Sequence, residues 1–107
     1  MRIRLDSVDT PEASQAFGNA AKQHVSGLVF GKMITVYRTG MHFERQVAFV
    51  FIGDVDVCSE LVSVGLAWNS VRYSKSETLP AIEQVARDKG LGLWADAEPV
   101  SPWEFRK

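Results

Sequence analysis

Two carboxylates stand three positions apart in Asp9-Thr10-Pro11-Glu12. Pro11 stiffens this segment, because it fixes its own φ and pushes the preceding residue out of the helical region. Carboxylate and carbonyl oxygens that converge on a rigid point suit a hard cation such as calcium. The same residues also read as a polar turn in which Glu12 complements the dipole of a following helix. Spacing alone favours that plainer reading. Two arginines add a further element. Arg4 lies on the polar face of the leading stretch and shares a side with the Asp9 turn only if that strand is regular; Arg45 opens a strongly apolar strand. A guanidinium holds a phosphate through two parallel hydrogen bonds, which an ammonium cannot do. Beside two carboxylates, such groups suit attack on a phosphodiester. A cation polarises the phosphate, a carboxylate activates water, and the guanidiniums stabilise the pentacoordinate state. Residue types alone fit two solvated surface arginines equally well.

The elements that must position these residues are legible from periodicity. Ile3 and Leu5 alternate with Arg2, Arg4 and Asp6, which predicts a half-buried strand ending near Pro11. Phe17, Ala21, Val25 and Leu28 fall at helical spacing, so a helix is expected from about Ala13 to Leu28, with Gly31 as its stop. His24 on this helix reads as a partly exposed surface residue. Met33 to Arg38 and Gln46 to Ile52 are rich in β-branched and aromatic residues and predict two strands. A turn at Thr39-Gly40-Met41-His42 would join them into a hairpin. Val55 to Val57 is a short extended piece. Helices are expected from about Cys58 to Val64, capped by Gly65, and from Leu79 to Lys89, ended by Gly90. The aromatic tail around Trp94 and Trp103 is expected to pack on the domain. The count is an α+β pattern with an antiparallel sheet.

Composition limits the function classes. The chain has 107 residues, of which 46% are hydrophobic and 23% charged, which fits one soluble domain over residues 1–107. Twelve Lys and Arg against 13 Asp and Glu leave a net charge of −1. No bulk positive field draws in a polyanion, so any grip on phosphates must come from a few placed cations. The single cysteine, Cys58, excludes an intrachain disulfide framework and a Cys-based zinc site. Its apolar neighbours Val55, Val57, Leu61 and Val62 predict a buried structural thiol. No stretch nears the roughly 18 apolar residues of a membrane span. No apolar segment follows the first residues as in a signal peptide. Cytoplasmic residence is the default, and secretion the alternative if an N-terminal segment has been lost.

The motifs, taken in order, resemble one family. Ile3-Arg4-Leu5, Val8-Asp9-Thr10-Pro11-Glu12 and Gln15-Ala16-Phe17-Gly18-Asn19-Ala20-Ala21 look like the core signature of staphylococcal-nuclease-like (thermonuclease) proteins. Leu28 to Val36 resembles that family's helix end and strand. Phe43 to Phe51 resembles the strand that carries a catalytic arginine. Leu61-Val62-Ser63-Val64-Gly65-Leu66-Ala67-Trp68, Gly90-Leu91-Gly92-Leu93-Trp94 and Pro102-Trp103-Glu104-Phe105-Arg106 resemble its later elements.

The resemblance implies an OB-fold-like antiparallel β-barrel with three helices that hydrolyses DNA and RNA with calcium. By motif position, Asp9 is a metal ligand through its carboxylate and Thr10 through its carbonyl. Glu12 is the general base or the group that orders the attacking water. Arg4 and Arg45 clamp the scissile phosphate, and Tyr73 falls where the family places a tyrosine that lines the nucleotide pocket, a stacking or phosphate role and plain packing both remaining open. Two departures stand out. Met41-His42-Phe43-Glu44 replaces the family's Asp-Arg/Lys-Tyr-Gly turn. No Gly-Asp-Thr motif, whose aspartate is a further metal ligand, occurs in the chain, and only eight residues precede Asp9. The expected barrel is therefore incomplete and lacks its first two strands. An open edge is a liability for a monomer; a fragment, a dimer that pairs open edges and a partner segment supplied from elsewhere are the three readings, and a homo-oligomer formed through that edge is the expectation. The competing functions are an impaired nucleic-acid-binding OB module and a truncated structural remnant.

Overall fold

A computed structural model describes residues 3–12, 14–42, 45–70, 74 and 77–105. The leading strand, β1 (Ile3–Leu5), is followed at once by β2 (Val8–Asp9). Ser7 lies between them at φ 68°, a left-handed conformation that a residue with a Cβ adopts at a cost. Local bonds hold it there. The Ser7 hydroxyl donates to Asp6 Oδ1 at 2.9 Å, and the Ser7 carbonyl accepts from the Ser70 amide at 2.9 Å. The kink transfers the chain from one sheet to another.

The larger sheet has the order β1-β4-β3, with a short β5 added to β4. β3 (Thr35–His42) and β4 (Arg45–Ile52) form the expected hairpin. The residues predicted as its turn, Thr39 to His42, instead belong to β3. The register shifts between Arg38 and Gly40, so Thr39 is the extra residue of a bulge. Its hydroxyl donates to Asp6 Oδ2 at 2.6 Å and fastens β3 to the β1–β2 kink. β1 pairs with β4 in parallel, with Arg4 opposite Val47 and Leu5 opposite Ala48. The sheet is therefore mixed rather than wholly antiparallel. β5 (Val55–Asp56) folds back antiparallel on Phe51 and Ile52. Among the described residues the strands do not close into a barrel, because β1 and β3 end the larger sheet and β2 pairs only with β6 (Trp68–Asn69).

The helices are α1 (Gly18–Val29), α2 (Val57–Ser63), α3 (Leu79–Asp88) and a final turn α4 (Pro102–Phe105). α1 starts five residues later than its periodicity suggested. The Gln15 amide donates to the Glu12 carbonyl at 2.8 Å, and Phe17 is left-handed, so the segment before Gly18 is spent on turns. α2 follows the expected signals: Asp56 accepts from the Cys58 amide at 3.0 Å as its N-cap. Its buried residues Val57, Cys58, Leu61 and Val62 form the main core with Val8, Val50, Ala67 and Leu79.

A second cluster joins Trp68, Ala86, Leu93 and Trp94, with Trp103 packed against it. The Arg87 guanidinium lies 4.1 Å from the Trp94 ring centre, and the Arg87 Nη2–Glu83 Oε1 ion pair measures 3.1 Å. Glu83 in turn accepts from the Asn69 amide at 2.6 Å. The chain after α2 and the 3₁₀ turn Gly92–Ala95 approach closely at Gly65 and Gly92, both at positive φ. The Leu93 amide donates to the Gly65 carbonyl at 2.8 Å. No described helix is long and apolar enough to cross a membrane.

Candidate active site

Arg4 and Asp9 are five residues apart. In a regular strand that separation spans about 16 Å and puts the two side chains on opposite faces. Here Arg4 Nη2 lies 3.1 Å from Asp9 Oδ1, and both side chains are mostly buried, at 14% and 10% exposure. The left-handed Ser7 is what brings them together. The sequence-based condition, that Arg4 reaches the Asp9 turn only along a regular strand, is therefore reversed: the break in the strand creates the contact. Arg4 Nη1 also donates to the Leu5 carbonyl at 3.3 Å. An ion pair with both members mostly out of water holds the two side chains in fixed positions.

Glu12 is positioned by Gln15. The Glu12 amide donates to Gln15 Oε1 at 2.8 Å, and Gln15 Nε2 donates to the Val100 carbonyl at 2.9 Å. The side chain of Gln15 thus ties the Glu12 corner to the C-terminal tail. The first turn of α1 contains no acidic residue. This removes the plainer reading of Glu12 as a carboxylate in a helix's first turn.

Arg4, Asp9, Thr10 and Glu12 share one cleft of about 560 Å³. Val8, Val50 and Val57 form its apolar floor, and one face of α1 forms its wall. The wall brings in Lys22, which sequence reasoning missed. Its signal was present in the helical spacing from Gly18 and Ala21. Gln15 was also visible, as part of a motif, but with no role attached. Arg45 opens β4 opposite His42; its side chain lies outside the described residues, as does all of Tyr73. A larger groove of about 850 Å³ runs past Thr39, Phe49 and Phe51. Asp6 and Asp56 outnumber Arg4 among its charged lining residues, which makes it a poorer seat for a polyanion.

The donors at the Asp9 corner are all oxygens, the kind a hard cation takes. Among the described residues, no three His, Cys, Asp or Glu side chains gather to hold an ion. A calcium here would therefore complete its shell with water and substrate oxygens. Cys58 contributes nothing to the site. It is fully buried, its Sγ lies 3.4 Å from the Asp6 carbonyl, and burial pushes its pKa from 9.0 up to about 12. The buried structural thiol expected from its neighbours is what the fold contains.

The family described as "Staphylococcal nuclease homologue" matches residues 2–96. The chain belongs to the staphylococcal nuclease family. Similar proteins of that kind include one from Haemophilus influenzae named "Uncharacterized endonuclease", 35% identical over 100% of this chain and 61% of its own length. An "Uncharacterized endonuclease" of Escherichia coli O157:H7 is 36% identical over 99% of this chain and 71% of its own. The "Staphylococcal-like nuclease CAN1" of Arabidopsis thaliana is 36% identical over 99% of this chain and 33% of its own. The chain thus spans well under the full length of these relatives. The family match covers β1 through the 3₁₀ turn Gly92–Ala95, and so includes Arg4, Asp9, Thr10 and Glu12.

Proposed function

We propose that this chain forms a phosphodiesterase domain that cleaves DNA or RNA by attack of water on the phosphodiester, with calcium at the Asp9 corner. The observation that carries this reading is the convergence of Arg4, Asp9, Thr10 and Glu12 on one cleft. Relatives named as endonucleases support it. Asp9 and the Thr10 carbonyl would hold the ion, which when bound polarises the phosphate and lowers the charge the attacking water must approach.

The chain's own residues do the rest. Glu12 takes a proton from water or orders it for attack on phosphorus. The new O–P bond forms as the bond to the leaving oxygen breaks, and that oxygen takes up a proton. Arg4 and Arg45 hold the non-bridging oxygens as charge grows on them. By motif position, Tyr73 would line the nucleotide pocket. Digestion of single-stranded DNA in calcium, repeated in a chelator, tests the reading. Cleavage that the chelator abolishes is expected; cleavage undiminished by it, or none in calcium, would overturn the proposal.

One observation favours a second reading. The Arg4–Asp9 pair occupies a guanidinium needed by phosphate and a carboxylate needed by the ion. A module that binds nucleic acid without cleaving it would show salt-sensitive binding and no products. Among the described residues β1 and β3 end the larger sheet, which supports the proposal that the protein self-associates by strand pairing. A light-scattering mass equal to one chain at micromolar concentration would count against it.

A further inference from the structure

We propose that Lys22 holds the phosphate next to the scissile one, so that the cleft grips a nucleic-acid strand rather than an isolated phosphodiester. The inference rests on the nuclease reading for its choice of ligand. The observations behind it concern the cleft itself. Four described charged residues line that cleft: Arg4, Asp9, Glu12 and Lys22. Arg4 is already committed to Asp9 at 3.1 Å. Lys22 is the remaining cation, and among the described residues no hydrogen bond or ion pair engages it.

Its placement follows from helix geometry. Gly18, Ala21, Lys22, Val25 and Val29 recur at three- and four-residue steps, and all line the cleft from α1. Gly18 and Ala21 are buried, whereas Lys22 is exposed. Lys22 thus lines the cleft while remaining exposed, as suits a side chain whose apolar stem can rest on a wall and whose ammonium prefers water. An exposed lysine without an ion-pair partner adds little to stability. A compact, strongly hydrated charge on a flexible stem suits a phosphate whose position shifts with the sugar pucker of a strand. Arg4 and Lys22 then divide the work: the fixed guanidinium takes the reacting phosphate, and the mobile ammonium takes a neighbour. Contacts of this second kind position a strand without reading its sequence.

The test uses two substrates and one binding measurement. The substrates are a twelve-nucleotide single strand and a nitrophenyl ester of a mononucleotide, which carries one phosphodiester only. Lys22→Ala is expected to raise the KM for the oligonucleotide about tenfold, with the loss on KM rather than kcat, and to spare the KM for the ester. Lys22→Arg should restore most of the loss. Lys32→Ala, an exposed lysine outside the cleft, should change neither KM. Fluorescence anisotropy with the same oligonucleotide in a chelator should give a plot of log affinity against log salt that is shallower by about 0.7 in the Lys22→Ala protein. Equal effects on both substrates, or an unchanged salt slope, would overturn the proposal. So would a wild-type protein that does not bind the oligonucleotide. If the wild type binds but cleaves nothing, the nuclease reading fails and the salt slope alone decides the role of Lys22.

Discussion

Arg4 and Asp9 meet at 3.1 Å because the left-handed Ser7 folds β2 back across the end of β1. Two mostly buried charges are held by one irregular residue. Removing one partner would leave the other uncompensated. Arg4→Met should therefore destabilise the fold by about 3 kcal/mol, the low end for breaking a buried pair, since both side chains keep some exposure. A double-mutant cycle with Asp9→Asn should give a coupling of about 1 kcal/mol or more. Urea denaturation checks both numbers, and additive losses would show that the pair is idle.

Gln15 braces Glu12 through a bond at each end of its amide. Gln15→Ala should lower kcat on single-stranded DNA about tenfold, as loss of a supporting group beside a catalytic one does. The stability change should stay near 1 kcal/mol, the worth of an ordinary hydrogen bond. Steady-state kinetics and a melting curve separate the two effects.

At Gly65, φ is +78°, and an added Cβ would collide with the Leu91 carbonyl. The opposing Gly92 is equally confined by the Gly65 carbonyl. Backbone cannot give way as a flexible side chain can. Gly65→Ala should therefore cost about 3 kcal/mol or more, among the larger single-substitution losses. A chemical denaturation midpoint reads the change.

Cys58 makes the stability depend on pH in the alkaline range. Its folded pKa is raised from 9.0 to about 12, chiefly by burial, with Asp56 and Asp6 nearby adding to it. The native state keeps the proton that the unfolded state releases above pH 9. The thiol's contribution is therefore fully present below pH 9 and is lost as pH rises toward 12, by up to about 1.4 kcal/mol per pH unit. Wild-type stability minus that of Cys58→Ala should fall across this window. A disulfide reagent should label Cys58 at pH 8 only after unfolding.

Local chemistry made much of this structure legible. The β3–β4 hairpin follows from β-branched runs, and Gly31, Gly65 and Gly90 stop their helices at positive φ as their positions suggest. The aromatic tail packs on the domain as large apolar rings do: Trp94 and Trp103 stand 4.5 and 5.5 Å from the Trp68 ring. What escaped was non-local or irregular. The parallel pairing of β1 with β4 joins residues more than forty positions apart and has no local signature. Ser7 and Phe17 take φ 68° without being glycine, so the kink and the late start of α1 were hidden. The bulge at Thr39 let a strand run through residues whose composition reads as a turn. At the site, Asp9, Thr10 and Glu12 could be picked out by type and motif. Lys22 was marked only by its helical spacing from Gly18 and Ala21, and it takes the assembled cleft to show that this face of α1 meets them.

The role of Glu12 is the point on which the mechanism turns, and one measurement addresses it directly. Cleavage of single-stranded DNA in calcium is followed for the wild type and for Glu12→Gln, which keeps size and backbone but cannot take a proton. A fall in kcat of about 10²–10⁴ is expected, with an unchanged melting temperature. A kcat within twofold of wild type would contradict the assignment of Glu12 as the group that activates or orders water.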